Sequence, residues 1–230
     1  IGCDRMLEMR GLPGHSFEEY CSFVGNGIMR LVERALPEEL RTPEYVKAAR
    51  KDFVDYYIEH IDQKSHPYKG IEELVAELQD RGAKLAVASN KFQAGTEKLI
   101  RKFFPAIDFV EICGNRDGVP LKPDTALVDM IIEKAGVERN RTIMVGDSAV
   151  DITTAKNARI HSVGVSWGFR SRAELEEAGA EHIVDSTDEL LKSGIRLAVK
   201  EGMASEGDTV ILTCSAAIGD DASTDLMKIH

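Results

Sequence analysis

Two carboxylates four residues apart, Asp147 and Asp151, lie in the stretch TIMVGDSAVDITTAKNA (142–158). The apolar run Ile143, Met144, Val145 reads as a buried strand that breaks at Gly146, and a helical pattern opens with Asp151 near its start. Such a turn sits at the carboxyl end of a strand, where open α/β sheets bind ligands, and beside the positive end of a helix. Two acids so placed can hold a divalent cation; the plainer alternative is that Asp147 caps the helix and Asp151 is a solvated first-turn acid. Two further strand ends carry complementary chemistry. LAVASNK ends in Ser89, Asn90 and Lys91, and GNRDGVPLKPD presents Lys122 before Pro123, which favours an extended backbone at the lysine. Taken singly, Ser89 reads as a loop cap and Lys122 as a surface charge. Together, a hydroxyl to grip a phosphoryl oxygen, a lysine to offset its charge and a carboxylate pair for Mg²⁺ are what phosphoryl transfer needs, because positioning and charge stabilisation dominate that chemistry.

The elements that must position these groups fall into two rhythms. Residues 1–65 are helical throughout: IGCDRMLEMR carries apolar residues at helical spacing, Ser16 with Glu19 forms a capping box, Ile28 to Leu36 is amphipathic, and Thr42-Pro43-Glu44 starts a longer helix through Phe53 and Ile58. From Pro67 the pattern alternates. Helix 71–81 is followed by strand 84–88, helix 94–103, strand 109–113, helix 124–135, strand 142–145, helix 151–157 and strand 161–165, and then by helix 172–178, strand 182–184 and helix 188–191. Alternation of this kind predicts an α/β fold with a parallel sheet and helices on both faces.

The chain has 230 residues and a net charge of −10, with no basic patch to meet phosphate backbones, which argues against nucleic acid as a partner. Four scattered cysteines without ligand spacing read as reduced thiols. No run approaches the ~18 apolar residues of a membrane span and no signal peptide is evident, so the expectation is a cytoplasmic protein with no membrane partner. The oligomeric state is left open.

In order along the chain, Ser89-Asn90, Lys122-Pro123 and Gly146-Asp147-Ser148 with Asp151 resemble the second, third and fourth motifs of the haloacid dehalogenase superfamily of phosphohydrolases. GLPGHSFEEYCSFVGNGIMRLVERALP, the HPYKGI return and GNRDGVPLKPD resemble the phosphoglycolate phosphatases and their near relatives within it. The resemblance runs to about Leu191. It implies a Rossmann-like core with a helical cap of the C1 type, 1–65 being the cap and 66–191 the core, and a Mg²⁺-dependent hydrolysis of a small phosphorylated substrate such as 2-phosphoglycolate. Ser89, Asn90, Lys122 and Asn26 would then bind the substrate, Asp147 and Asp151 would form the metal site, Asp151 either binding the metal directly or orienting its water shell, and Ser89, Lys122, Asp147 and Asp151 would be the catalytic set. Nucleotidases, pyrophosphatases and sugar-phosphate mutases are the alternatives within enzymes. A receiver-like signalling domain fits less well, given the helical cap.

Two departures stand out. The family attacks phosphorus with an aspartate at the end of the first core strand, in a DxDGT run, and no such run exists here; Asp4 lies in a helix-like stretch with no strand before it. A remnant that binds phosphate or Mg²⁺ without turnover, or serves as an interaction module, is therefore the rival expectation. Residues 192–230 resemble the last strands of the carboxy-terminal domain of pyruvate kinases, a segment that implies no kinase activity. A joined or misassembled reading frame would account for both departures. By the resemblance the missing strand lies centrally, between those ending in Ser89 and Asp147, and the apolar TVIL run makes strand Thr209–Cys214 a candidate to fill the gap, with Cys214 or Ser215 near the nucleophile's place.

Overall fold

A computed structural model describes residues 2–24, 27–63, 65–168, 170–190, 209–212, 214–216 and 226–229. Four helices come first: α1 (Gly2–Glu8), α2 (Phe17–Phe23), α3 (Gly27–Ala35) and α4 (Pro43–His60). Their starts follow from local chemistry. Ser16 Oγ accepts from the Glu19 N–H while the Glu19 carboxylate accepts from the Ser16 N–H, and Thr42 caps α4 ahead of Pro43. The rest of the chain alternates: β1 (His66–Pro67), α5 (Ile71–Asp80), β2 (Lys84–Phe92), α6 (Gln93–Phe103), β3 (Phe109–Asn115), α7 (Ala126–Ala135), β4 (Thr142–Gly146), α8 (Ala149–Ala158), β5 (His161–Val165), α9 (Arg172–Ala178), β6 (His182–Val184) and α10 (Thr187–Glu189). Beyond these lie β7 (Thr209–Leu212), β8 (Cys214–Ala216) and β9 (Leu226–Ile229).

Six strands form one parallel sheet in the order β3-β2-β7-β4-β5-β6. The strand from the far end of the chain, β7, therefore sits between the two that carry the candidate chemistry. Its register is the same on both sides: Thr209 faces Lys84 and Thr142, and Leu212 faces Val87 and Val145. Insertion of a four-residue segment here is physically reasonable, because a sheet covered on both faces selects continuous β-branched and apolar runs, and TVIL is one. Both flanking strands gain backbone partners that would otherwise be lacking in the middle of the sheet. The expected strand Thr209–Cys214 is thus realised as Thr209–Leu212, and Cys214–Ala216 joins a second, three-stranded sheet of β1, β9 and β8 instead.

The alternation of side chains along β2 and β4 divides the interior into two packed layers. Leu85, Val87, Ile143 and Val145 pack on one face into a cluster that continues into the helical region through Phe53, Leu31, Met6 and Leu7. Ala86, Ala88 and Met144 face the other way, against Leu127, Val128 and Ile131 of α7 and Ala155 of α8. Among the described residues no helix is long and apolar enough to cross a membrane.

Candidate active site

Strand β2 runs on to Phe92 rather than ending at Ala88, with a register irregularity against β3 between Ala88 and Phe92. The irregularity is the physical reason the polar Ser89-Asn90-Lys91 segment stays extended without continuing the regular ladder. Ser89 is fully buried, and its Oγ accepts from the Lys91 N–H at 3.1 Å. Lys91 itself turns to the helical region, its ammonium 2.8 Å from the Tyr57 hydroxyl and 4.8 Å from that ring's centre. Asn90 clamps the lysine loop: the Lys122 N–H donates to Asn90 Oδ1 at 2.8 Å, and Asn90 Nδ2 donates to the Lys122 carbonyl at 3.1 Å. Both backbone groups of Lys122 are therefore held by one side chain, so the lysine enters the site from a fixed point.

From there Lys122 Nζ donates to Asp151 Oδ1 at 2.7 Å and to the Ala88 carbonyl at 3.0 Å. The Lys122 and Asp151 side chains are only 6% and 4% exposed. The ammonium thus bridges the end of β2 and the start of α8, the two elements on either side of the point toward which β7 runs. The second oxygen of Asp151 accepts from Ser148 Oγ at 2.6 Å and from the Ser148 N–H at 3.2 Å. The next donor of this turn, the Ala149 N–H, goes to Glu174 at 3.1 Å. Protein carboxylates thus take the N–H groups of Ser148 and Ala149 at this turn, and Ser89 and Lys122 are side chains suited to grip an anion.

Two glycines set how closely these groups approach. A Cβ on Gly146 would fall 2.3 Å from Asp151 Cβ, and one on Gly168 would fall 2.1 Å from Asp147 Oδ2. The backbone at Gly168 therefore lies directly against the Asp147 carboxylate, itself only 2% exposed. Tyr68 belongs to the same neighbourhood: burial, and then the charge of Asp147, hold its hydroxyl well above the usual phenol range. Gly168 and Tyr68 were not singled out from the sequence, since their roles come from long-range approach; the residue after Trp167 in VSWGF and the HPYKGI return carry no local sign of it.

Of the residues expected at the site, Ser89, Asn90, Lys122, Asp147 and Asp151 converge at the carboxyl ends of β2 and β4, and Asn26 lies outside the described residues. Each oxygen of Asp151, expected either to bind the metal or to orient its water shell, accepts a hydrogen bond, one from Lys122 and the other from Ser148. Asp4 is in α1, where it accepts from the Tyr20 hydroxyl at 2.6 Å, as a helix acid rather than a strand-end one. No three potential ligating side chains cluster for a metal among the described residues.

The profile of haloacid dehalogenase-like hydrolases matches residues 3–165. The chain belongs to this family. Within the haloacid dehalogenase-like hydrolases it is of the phosphatase type: a phosphoglycolate phosphatase of Mesorhizobium japonicum is 35% identical over 181 residues, covering 76% of this chain and 80% of that one. Another from Vibrio parahaemolyticus is 29% identical over 84% of this chain and 86% of its own length. The crystal structure of a provisionally named phosphoglycolate phosphatase from Lactobacillus delbrueckii superposes with a TM-score of 0.75 at 29% identity, over 84% of this chain and 89% of that chain. A second profile, the pyruvate kinase alpha/beta domain, matches residues 139–230 and so takes in β7, β8 and β9.

Proposed function

We propose that the chain binds 2-phosphoglycolate or a similarly small phosphate ester at the carboxyl ends of β2, β7 and β4, with Mg²⁺ as the accompanying cation. The observation that carries this reading is the buried Lys122 ammonium, fixed by Asn90 and poised between Ala88 and Asp151 beside Ser89. A phosphoryl group entering there meets a hydroxyl donor and a full positive charge in a water-poor setting, where such groups act most strongly. The donors fit a hydrated Mg²⁺. This ion prefers one or two carboxylates and keeps several waters, so Asp147 would hold it directly and Asp151 would orient its water shell. When bound, the cation would offset charge on the phosphoryl oxygens.

A second reading, binding without turnover, is favoured by one observation. The strand that fills the centre of the sheet is Thr209–Leu212, which carries no carboxylate, whereas the family resemblance calls for an attacking aspartate at the end of the strand in that place. A phosphatase assay with Mg²⁺ on para-nitrophenyl phosphate and 2-phosphoglycolate, run beside equilibrium binding of orthophosphate, separates the two. Turnover abolished by Asp147→Ala establishes a working hydrolase. Lys122-dependent phosphate binding without turnover establishes the binding reading. Absence of both removes the phosphate site altogether.

A further inference from the structure

Between α3 and the core lies a cavity of about 620 Å³ lined by Gly27, Met29, Arg30, Arg34, Asn115 and Leu121. Its size is that of a small-molecule site. Its position is tied to the phosphate grip by close packing: a Cβ on Gly27 would stand 3.1 Å from Leu121 Cδ1 and 4.0 Å from the Asn90 carbonyl, and Leu121 directly precedes Lys122. The left-handed backbone at Gly27, with φ of +79°, allows α3 to start this near the core. Arg30 and Arg34 then follow at one-turn spacing, both lining the cavity. Arg30 shares its charge with Glu33 at 2.6 Å. The Arg34 guanidinium makes one hydrogen bond among the described residues, Nη1 to the Phe23 carbonyl at 3.1 Å, and pairs with no carboxylate there. A guanidinium offers five donors in a planar fork, so most of that capacity remains for a ligand.

We infer that Arg34, assisted by Arg30, binds the second anionic group, carboxylate or phosphoryl, of a small ester whose first phosphoryl group sits at Ser89 and Lys122. The inference rests on the phosphate site proposed above and adds what selects the ligand there. Asn115 and Leu121 form the core wall along which such a ligand would lie, and Arg34 faces it from the helix. A neutral ester of the same length would reach the cavity and find no partner for the arginines.

The test is a calorimetric comparison, with Mg²⁺ in all arms, of ethyl phosphate, 2-phosphoglycolate, ethylene glycol bisphosphate and orthophosphate on the wild type and on Arg34→Gln and Arg30→Gln. Charge-assisted pairing to arginine predicts that at least one doubly anionic ester binds about tenfold tighter than ethyl phosphate. Arg34→Gln should erase that preference and leave orthophosphate unchanged, and whichever ester gains more names the second group. The exposed Arg30→Gln, which does not threaten folding, should narrow the preference by about threefold. Equal binding of ethyl phosphate and the doubly anionic esters overturns the inference while leaving the phosphate site standing, as does a preference that survives Arg34→Gln. If orthophosphate fails to bind at all, the phosphate reading falls and this inference, which rests on it, falls with it.

Discussion

The strands that flank the centre of the sheet and the strand that fills it differ in kind. At the ends of β2 and β4 every candidate group is specified by side chain and by partner: Ser89, Asn90, Asp147, and Asp151 reached by Lys122. Strand β7 contributes backbone pairing in a common register to both neighbours and an apolar run of four residues. Completing a sheet and completing an active site are thus separable demands. The first is met by hydrogen-bonding groups that every residue except proline carries, while the second needs one particular carboxylate at one strand end. Strand β7, within the stretch that matches the pyruvate kinase alpha/beta domain, meets the first demand and holds no carboxylate among Thr209–Leu212.

The comparison is broken most directly by attacking the backbone of the central strand. Ile211→Pro removes a ladder donor within a central strand, a position from which proline is essentially excluded. Against a total stability of ~5–15 kcal/mol, this should lower the urea midpoint severely or abolish the cooperative transition. A midpoint equal to that of the wild type would mean the sheet does not depend on β7. On the flanking side, Asp151→Ala strands the Lys122 ammonium in a buried position, for a loss of about 3–5 kcal/mol. The double variant Asp151→Ala with Lys122→Met removes both charges and should recover much of that loss, and a thermodynamic cycle by urea denaturation measures the recovery.

How far all this was legible before the structure depends on whether the signal is local. The starts of α2 and α4 were readable because Ser16 and Thr42 act on residues three positions away. The three strand ends were readable because apolar runs give way abruptly to Ser89 and Asp147, and because Pro123 follows Lys122. The extent of β2 was not: the apolar run bounds the strand at 84–88 with Ser89-Asn90-Lys91 at its end, and only pairing with β3 shows that the backbone stays extended to Phe92. The engagement of Asp151 by Lys122 joins residues 29 positions apart, and no periodicity encodes it. The capacity of TVIL to be a central strand was visible in its composition, and its place between the strands ending in Ser89 and Asp147 came from the family resemblance, since parallel pairing itself leaves no trace in local sequence.

Two smaller perturbations sharpen the contrast between specified and generic regions. Gly168→Ala forces a methyl group into the space of Asp147 Oδ2, so either the loop or the carboxylate must move. The expected outcome is a fall of about tenfold or more in Mg²⁺-dependent phosphate affinity, together with the ~1–3 kcal/mol typical of overpacking. Phosphate affinity unchanged by this substitution would show that Asp147 takes no part in the site.

The smallest effect concerns the thiols of the packed layers. Burial pushes Cys113 up to about 11 and Cys3 up to about 12, from ordinary values near 9. The folded state therefore holds these protons more tightly than the unfolded chain. The stability they contribute is fully present below pH ~9 and is lost as pH rises through 9 to 11 and beyond, where only the unfolded thiols ionise readily. Urea midpoints measured across that window should fall, and Cys113→Ala with Cys3→Ala should flatten the fall. At pH 8 the half-buried Cys21 should react with a thiol reagent well before Cys3 or Cys113, whose labelling should follow unfolding. Cys113 packs in the same layer as Ala86 and Ala88 of β2, so its protection also reports on the seam that β7 closes. If Ile211→Pro exposes Cys113 while leaving Cys3 in the helical region protected, the two regions open independently; simultaneous exposure would show that the central strand holds the helical region and the core together.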